Sequence, residues 1–253
     1  MSESRQRRRR AIRALSYDYA SGHRVPTHKH AEHQLVFAAA GVMTVSTPEG
    51  AWIVPPNRAV WVPAGVEHAI RMSGAVSMRT LYVPRRLAPT RGLPERCTVL
   101  EVSPLLREIV LAGVRRGGLD VSRDPRDANL FRVLLDELRS LPVRALHLPF
   151  PRDPRALRLA ARLQAQPGER GRAHDLATGT GGSARTIERL FRAETGMSLG
   201  TWRQQLRLAR ALEQLAAGES VTAVAIDAGY AGTSAFVSAF KTSFGQTPGR
   251  YFR

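Results

Sequence analysis

The chain has 253 residues, of which 43% are hydrophobic and 23% are charged, a composition typical of globular proteins with one or two domains. No apolar run reaches the ~20 residues that a membrane-spanning helix needs, and the basic N-terminal segment is not followed by the apolar stretch of a secretory signal. We therefore expect a cytoplasmic protein without a membrane partner. Cys97 is the single cysteine, which excludes an internal disulfide framework and a cysteine-based zinc site.

The charge balance predicts a polyanionic partner. The formal net charge is +17, and all 38 lysines and arginines except Lys29 and Lys241 are arginine, whose planar guanidinium suits phosphate and guanine. Charge alone does not distinguish DNA from RNA or from a membrane surface. Residues 1–14 include the run Arg7–Arg10. We expect them to form a basic flexible tail, which is either simply solvated or a non-specific phosphate-binding arm.

Residues 15–100 have the pattern of an antiparallel β-domain. Between Gln34 and Val83, short segments rich in Val, Ile, Trp and Tyr alternate with turn residues. The segments are QLVFAA, VMTVST, AWIVP, AVWVP, EHAIRM and SMRTLYV, and the turns contain Gly41, Pro48–Gly50, Pro55–Pro56, Pro63–Gly65 and Ser73–Gly74. Many short strands with regular turn punctuation predict a barrel or a sandwich.

The hydrophobic period changes to that of helices in residues 101–141. Ser103 and Pro104 form a helix start signal. A second helix after Asp124-Pro125 carries a leucine stripe of Leu130, Leu134, Leu138 and Leu141. Two interpretations stay open, because these helices either pack on the β-domain or form the interface of a homodimer. Residues 142–153 contain several prolines and predict an interdomain linker.

Residues 154–253 are predicted to be helical throughout. Caps, apolar periodicity and glycine stops delimit helices at Pro154–Gln166, Ala173–Thr180, Ser183–Thr195, Leu199–Ala217, Ser220–Ala228 and Thr233–Phe244. Two parts of this segment align, because Ala177, Gly181, Phe191 and Gly196 correspond in order to Ala225, Gly229, Phe240 and Gly245. Each part places a short helix, a glycine turn and a longer helix in order, which is the layout of a DNA-reading helix-turn-helix.

The longer helix of each unit has a polar outer face. In the first unit this face carries Arg185, Glu188, Arg189 and Arg192, and in the second it carries Thr233, Ser234, Val237, Ser238 and Lys241. An arginine stripe on a single amphipathic helix is usually a solvated face. Two tandem copies that each follow a glycine turn favour DNA recognition instead.

The C-terminal segment WRQQLRLARALEQLAAGESVTAVAIDAGYAGTSAFVSAFKTSFGQTPGRYFR resembles the signature of the AraC-type transcription regulators, and GGSARTIERLFRAETGMS resembles the first helix-turn-helix of that family. The resemblance covers residues 153–253. It implies that each chain inserts two recognition helices into successive major grooves of double-stranded promoter DNA, separated by the helix Trp202–Ala217. It also implies major-groove contacts by Arg185, Thr186, Glu188 and Arg189 of the first unit and by Thr233, Ser234 and Ser238 of the second.

Arginine bonds bidentately to guanine, whereas serine and threonine make weaker and less selective contacts with base edges. The first recognition helix is therefore expected to carry more of the base discrimination. Phosphate contacts position a protein without specifying a sequence, and they are expected from Arg192, Arg203, Lys241 and Arg250.

Histidines are concentrated in the β-domain. The order His28-x-His30-x-x-x-Gln34, followed by PAGVEH ending in His68, resembles the two motifs of the cupin barrel. In metal-binding cupins two histidines and an acid join a histidine of the second motif, which implies a site for a divalent transition metal. Gln34 stands where that family has glutamate, and its neutral oxygen should bind a metal more weakly. The alternative is that these side chains line an effector pocket or form hydrogen bonds at the barrel mouth.

The stretch HAEHQLVFAAAGVMTVSTPEGAWIVPPNRAVWVPAGVEHAIRM resembles the sensor domain of one AraC-type subgroup, which is often linked to control of a neighbouring transporter gene. We therefore expect an α+β fold, with an N-terminal cupin-like antiparallel β-barrel with helices and a C-terminal all-α domain with two helix-turn-helix units. The expected function is that of a sequence-specific transcription regulator, an activator or a repressor and not an enzyme. It would respond to a small-molecule effector as a homodimer, with RNA polymerase as a further partner. The alternative is a metal-dependent cupin enzyme, such as a dioxygenase or an isomerase, fused to a DNA-binding module.

Overall fold

A computed structural model describes residues 12–88, 93–140, 147–169 and 171–252. The chain divides into two compact units, one containing the residues up to Thr47 together with Trp52–His147, and the other containing Pro48–Ala51 and the chain from Leu148 onward. Residues 1–11 of the predicted tail and residues 142–146 of the predicted linker lie outside the described residues. Within the described ranges, no helix is long and apolar enough to span a membrane.

The first unit is built on an antiparallel sheet, which confirms its predicted fold class. The strands are β1 Arg13–Tyr19, β2 Arg24–His28, β3 Glu32–Thr47, β4 Gly50–Val54, β5 Arg58–Val62, β6 His68–Pro84 and β7 Thr98–Glu101. Strand β6 pairs with β1, β2 and β3, and β5 pairs with β3 and β7. The sheet begins at Arg13, within the segment predicted as tail, and the buried Ile12 bridges to Leu119.

Two strands are much longer than the sequence pattern predicts. Strand β3 has 16 residues and β6 has 17, and each runs through a glycine that the pattern marks as a turn, Gly41 in β3 and Gly74 in β6. Both glycines have a positive φ, of 71° and 73°, and the β3–β6 register shifts on either side of Ala40. A bulge bends a strand without ending it, so the segments predicted as separate strands are continuous.

The two faces of the sheet have different partners. One face, which includes Val36, Val60 and Met78, contributes to an apolar cluster around Trp52, which we call the inner cluster. The opposite face packs against two helices and includes Leu35, Phe37 and Leu81. Because side chains alternate along a strand, β3 contributes to both clusters.

The two helices on the sheet are α1, Pro104–Arg115, and α2, Pro125–Ser140. The Ser103 hydroxyl accepts a hydrogen bond from the backbone N–H of Leu106 at 3.0 Å, which confirms the predicted cap. Leu106 of α1 and Leu134 of α2 are fully buried with the outer face of the sheet. The apolar stripes therefore pack on the β-domain, so the leucine content of residues 101–141 is not by itself a sign of a dimer interface.

The second unit is helical, as predicted. Its helices are α3 Pro154–Ala165, α4 Ala173–Ala177, α5 Ala184–Thr195, α6 Leu199–Ala216, α7 Val221–Asp227, α8 Thr233–Phe244 and α9 Pro248–Tyr251. Most bounds lie within one or two residues of the sequence prediction. Helix α4 ends earlier than predicted, because the Thr180 hydroxyl donates to the carbonyl of Ala177 at 2.6 Å and the chain turns there.

The end of the predicted linker, from Leu148 onward, belongs to the second unit. A short strand, β8, covers His147–Pro149, and Leu148 is buried in the helical core. The Trp202 indole N–H donates to the carbonyl of Pro149 at 2.7 Å. The Asp153 carboxylate accepts from the backbone N–H of Arg155 at 2.9 Å and caps α3. The prolines between Leu148 and α3 therefore belong to a packed segment that precedes this helix and not to a free linker.

Candidate DNA interface and effector site

The first helix-turn-helix consists of α4, a turn and α5. Gly181 in the turn has a φ of 78°, a left-handed conformation that glycine adopts without strain. The Ser183 hydroxyl accepts a hydrogen bond from the backbone N–H of Thr186 at 3.2 Å, which confirms the predicted cap of α5. Ile187 and Phe191 are fully buried in the helical core. Burial of this stripe turns the opposite face of α5 outward.

The predicted contact residues of α5 differ in their surroundings. Arg185, Arg189 and Arg192 are exposed, whereas Thr186 and Glu188 are half-buried. The Arg192 Nε donates to Glu188 Oε1 at 3.0 Å, and the backbone N–H of Leu199 donates to Glu188 Oε2 at 3.2 Å. Glu188 therefore connects α5 to the start of α6. Sequence reasoning missed this role, because the partner at Leu199 lies 11 residues further along the chain.

The second helix-turn-helix consists of α7, a turn and α8. Gly229 in the turn has a φ of 74°, and Gly181 in the turn of the first helix-turn-helix is likewise left-handed. Phe236 and Phe240 are fully buried. On the opposite side Ser234, Ser238 and Lys241 are exposed, and Thr233 is half-buried. The outer face of α8 thus presents hydroxyl groups and one cation, where α5 presents guanidinium groups.

Arg203 of α6, expected to contact phosphate, uses two of its donor nitrogens within the chain. Its Nη1 donates to the carbonyl of Gly171 at 3.1 Å and its Nη2 to the carbonyl of Glu169 at 2.7 Å. Burial, and then the nearby charge of Arg207, lowers the pKa of this guanidinium. A phosphate contact by Arg203 stays a prediction, and it would have to compete with these bonds within the chain.

The structure brings the histidines of both sequence motifs together where β2 ends and β3 and β6 begin. Each Nδ1 lies within hydrogen-bond distance of a backbone carbonyl oxygen, at 2.8 Å for His28, 2.9 Å for His30 and 2.9 Å for His68. Because a carbonyl can only accept, Nδ1 is the donor in each of these contacts, and in the neutral form of such a ring the lone pair is on Nε2. In their neutral forms the three rings therefore have Nε2 as the acceptor nitrogen.

Gln34 is buried among these rings, and its amide orientation is set by two hydroxyl groups. Its Nε2 donates to Thr80 Oγ1 at 3.0 Å and to the Tyr82 hydroxyl at 3.1 Å. Thr80 donates its own proton to a backbone carbonyl of β3 at 3.0 Å, so its oxygen is left to accept. Gln34 Oε1 consequently faces the Nε2 atoms of His30 at 3.0 Å and His68 at 3.2 Å.

The residues at this site fit a metal ion. The ligand atoms of His28, His30 and His68 lie within 4.8 Å of one another, and imidazole nitrogens with an oxygen suit divalent transition metals. The bonds from Nδ1–H to carbonyls are those that orient metal-binding histidines. Burial lowers the pKa of His68 to about 4, assisted by His28 and His30 and opposed by the Val66 carbonyl. Its imidazole is therefore neutral at neutral pH, and the converging lone pairs favour a cation or a hydrogen-bond donor between them.

His33 lies apart from the site. Its ring stacks on Trp61 with centroids 5.1 Å apart, and its Nδ1 accepts from the backbone N–H of Ala64 at 3.2 Å. Thr80 and Tyr82 belong to the site but were missed from the sequence, because they lie 46 and 48 residues beyond Gln34. The available signal in the sequence was the alternation of side chains along β6, which places Thr80 and Tyr82 on the same face of the strand. It does not indicate which strand β6 pairs with.

Comparison with known proteins gives two family matches. Residues 12–163 match a family model described as "AraC-like ligand binding domain", and residues 176–253 match one described as "Helix-turn-helix domain". The HTH-type transcriptional regulator NimR of Escherichia coli (strain K12) is 37% identical over 226 residues, which cover 89% of this chain and 81% of NimR. The HTH-type transcriptional regulator RipA of Corynebacterium glutamicum is 36% identical over 104 residues, which cover 41% of this chain and 31% of RipA.

Solved structures show a weaker likeness. Fatty-acid-bound ToxT from Vibrio cholerae is 12% identical and matches 96% of this chain and 95% of its own, with a TM-score of 0.39. The DNA-binding domain of AdpA in complex with a target DNA is 28% identical and matches 40% of this chain and 91% of its own, with a TM-score of 0.37. Because these TM-scores are low, the family assignment rests on the sequence matches. The relatives NimR and RipA are transcription regulators, which confirms the regulator over the cupin-enzyme alternative. This chain belongs to the AraC family of DNA-binding transcription regulators, with an AraC-like ligand-binding domain ahead of its helix-turn-helix domain.

Proposed function

We propose that a small effector binds at the cluster of His28, His30, Gln34 and His68 and thereby changes transcription from the bound promoter. The observation that carries this proposal is the convergence of the Nε2 atoms of His30 and His68 on Gln34 Oε1, with a ring nitrogen of His28 nearby. Gln34 and Val36 lie on the same face of β3, so the polar cluster continues into the apolar inner cluster. A few polar atoms beside apolar walls are the usual make-up of a small-molecule site.

The DNA contacts belong to the same proposal. The proposed base contacts are Arg185, Thr186, Glu188 and Arg189 of α5 and Thr233, Ser234 and Ser238 of α8, with Arg192 and Lys241 at phosphates. The exposed guanidinium groups of α5 support the larger share of base discrimination for this helix, because arginine bonds bidentately to guanine. A base contact by Glu188 has to compete with its bonds to Arg192 and Leu199.

The effector acts through its unequal affinity for the two functional states of the regulator. A ligand with equal affinity for both states shifts nothing, and coupling of this kind typically amounts to ~1–3 kcal/mol. Activation would in addition require contact with RNA polymerase, whereas repression requires only occupation of the promoter.

Replacement of His28 and His68 together by alanine tests the effector site. We expect the inducer response in a reporter strain to be lost, because two of the converging rings are removed, while operator binding by the full chain without inducer is retained. The inducing compound is first identified with the wild-type reporter. His23→Ala is the matched control, because His23 stacks on Tyr19 outside the cluster. A normal inducer response in the double variant would show that the histidines are structural.

A divalent transition metal is the second candidate occupant, favoured by the ring nitrogens of His28, His30 and His68, of which one from each ring lies within 4.8 Å of the others. His28, His30 and His68 would hold it through nitrogen and Gln34 through its neutral oxygen. The metal would supply a positive charge that neutralises the converging lone pairs and an open position for an anionic effector.

Titration of the full chain with Co²⁺, followed by its visible absorption, tests this proposal. We expect one ion per chain, loss of binding in His30→Ala and tighter binding in Gln34→Glu, because a carboxylate adds a negative charge. His23→Ala should bind as the wild type does. Absence of a Co²⁺ spectrum in both the wild type and Gln34→Glu would leave the small effector as the occupant.

A neighbouring transporter gene is the proposed target, and this proposal rests on the resemblance of residues 30–72 alone. Genome-wide mapping of the DNA bound by the protein tests it. Binding sites that all lie away from transporter genes would contradict it and leave the regulator assignment untouched.

A further inference from the structure

Among the described residues, two connections join the two helix-turn-helix units. The first connection is α6, which runs from the end of the first helix-turn-helix to the start of the second helix-turn-helix. The other is the loop between α3 and α4, which we call the joint loop and define by Pro167, Gly168, Glu169 and Gly171. The joint loop contacts α6 on one side and the end of α7 on the other.

On the side of α6, two arginines hold the joint loop by its backbone. Arg203 donates to the carbonyls of Gly171 and Glu169, at 3.1 and 2.7 Å. Arg207 donates from Nε to the carbonyl of Pro167 at 3.2 Å and from Nη2 to that of Glu169 at 3.2 Å. Hydrogen bonds from a charged donor are stronger than neutral ones, so these contacts tie the loop firmly to α6.

On the side of α7, the joint loop touches backbone. A Cβ on Gly168 would lie 2.4 Å from the carbonyl oxygen of Asp227, and only glycine permits so close an approach. A Cβ on Gly229 would lie 3.3 Å from the carbonyl oxygen of Gly168. The Asp227 carboxylate also accepts from Gln214 Nε2 at 2.7 Å. The end of α7 is therefore held by both α6 and the joint loop.

Two units joined only through a helix can change their relative rotation where the chain leaves that helix. A second connection closes a ring of contacts and removes this freedom. We propose that the joint loop fixes the rotation and distance between α5 and α8, so that Gly168, Arg203 and Arg207 act as positioning residues for operator spacing. They determine which separation of the two half-sites the protein accepts. This inference rests on the proposed reading of DNA by both helices.

Half-site spacing is a sensitive readout of such rigidity. B-DNA completes a turn in about 10–10.5 base pairs, so one inserted base pair rotates the second half-site by roughly 35°. A rigid pair of recognition helices then loses contacts at one half-site. Two recognition helices that can rotate relative to each other adjust to the rotated half-site and keep the contacts with it.

The test measures the affinity of the full chain for synthetic duplexes made from a site selected in vitro with the wild type. The duplexes keep the selected spacing or have one base pair inserted or removed between the half-sites. We expect the wild type to lose at least about tenfold on altered spacing, the order of one mismatched base pair. Gly168→Ala, and separately the pair Arg203→Ala with Arg207→Ala, should show a several-fold smaller spacing penalty.

Two matched controls should keep the wild-type penalty. A Cβ on Gly249 would meet nothing within 4 Å, so Gly249→Ala controls for the added methyl group. Arg210 lies on α6 but pairs with Glu213 at 3.0 Å, so Arg210→Ala controls for a lost charge. A general loss of stability lowers the affinity for all spacings equally and does not mimic the expected result.

The outcomes distinguish the inference from the proposed function. If the variants of the joint loop fold and keep the wild-type spacing penalty, the inference is wrong. If circular dichroism shows that a variant does not fold, Arg207→Lys takes its place in the spacing test. This substitution keeps the charge and loses the guanidinium fork. If scrambling one half-site leaves wild-type binding unchanged, the reading of DNA by both helices fails instead.

Discussion

Side chains on the outer face of α5 differ in how they are engaged. Arg185 and Arg189 project from an exposed face, which suits bidentate bonds to a base. Glu188 has one carboxylate oxygen on Arg192 and the other on the backbone of Leu199. Two neighbouring residues of one predicted contact set therefore have different expected effects on DNA binding.

Replacement of Arg189 by alanine should weaken operator binding by ~1–3 kcal/mol and relax the preference at one base pair. The reason is the loss of a bidentate bond to a base edge. Affinities for the operator, for its single-base variants and for random DNA measure the effect. An equal loss on operator and random DNA would show that Arg189 contacts phosphate.

Glu188→Ala provides the comparison for Arg189→Ala. Removal of its carboxylate frees the N–H of Leu199 and loosens the junction of α5 and α6. Part of the loss of affinity should then be spread over all operator positions, in addition to the change at the base pair that Glu188 is proposed to contact. A loss that is equal on the operator and all its single-base variants would contradict the proposed base contact by Glu188.

Among the elements, α1 and α2 show that the apolar stripe of a helix can pack on the face of a sheet. Their buried residues share a cluster with Leu35, Phe37 and Leu81 of the sheet. The amphipathic period predicts the stripe but not its partner, because a sheet face and a second copy of the chain are equally apolar. The long, bulged β3 and β6 provide the surface on which both helices lie.

Leu134→Ala should lower the free energy of unfolding of the first unit by ~2–5 kcal/mol, because Leu134 is fully buried and its truncation leaves a cavity. Val133→Ala on the same helix should change it by no more than ~0.5 kcal/mol, since Val133 is 38% exposed. Denaturant unfolding of the full chain measures both variants. Equal effects would contradict the packing of α2 on the sheet.

At the scale of the whole molecule, dimerisation through residues 101–141 stays a prediction. Most apolar side chains of α1 and α2 are used inside the chain, and Leu105 and Val133 are large apolar residues of this segment that remain exposed, at 51% and 38%. A dimer is favoured because two linked DNA-binding units bind paired half-sites more tightly than one.

Sedimentation of the full chain at tens of micromolar, with and without DNA, measures this prediction. We expect a homodimer in the wild type and a shift toward monomer in the variant Leu105→Glu with Val133→Glu, because two charges would be buried at the interface. Arg107→Glu on α1 is the control, because it introduces a negative charge at a position that is already polar. A wild-type monomer under both conditions would refute the prediction.

Much of the second unit could be predicted because its signals are local. Ser183 caps α5 through a bond three residues away, and Gly196 ends that helix in a left-handed conformation. In the first unit, Gly41 and Gly74 carry the same local signal as turn glycines but lie within bulged strands. Pairing with a distant strand outweighs a local turn preference, so the strand boundaries there were wrong.

The sequence by itself determined the order of helices α3 to α8, the tandem repeat and the family, because each of these depends on residues within one helix or one motif. Only the tertiary structure decided which atom of Gln34 faces the histidines, where α1 and α2 pack and where Arg203 donates. These outcomes depend on partners such as Thr80 and Glu169, 46 and 34 residues away along the chain. Contacts at that separation follow from how whole elements pack together, which the pattern of any single segment does not encode.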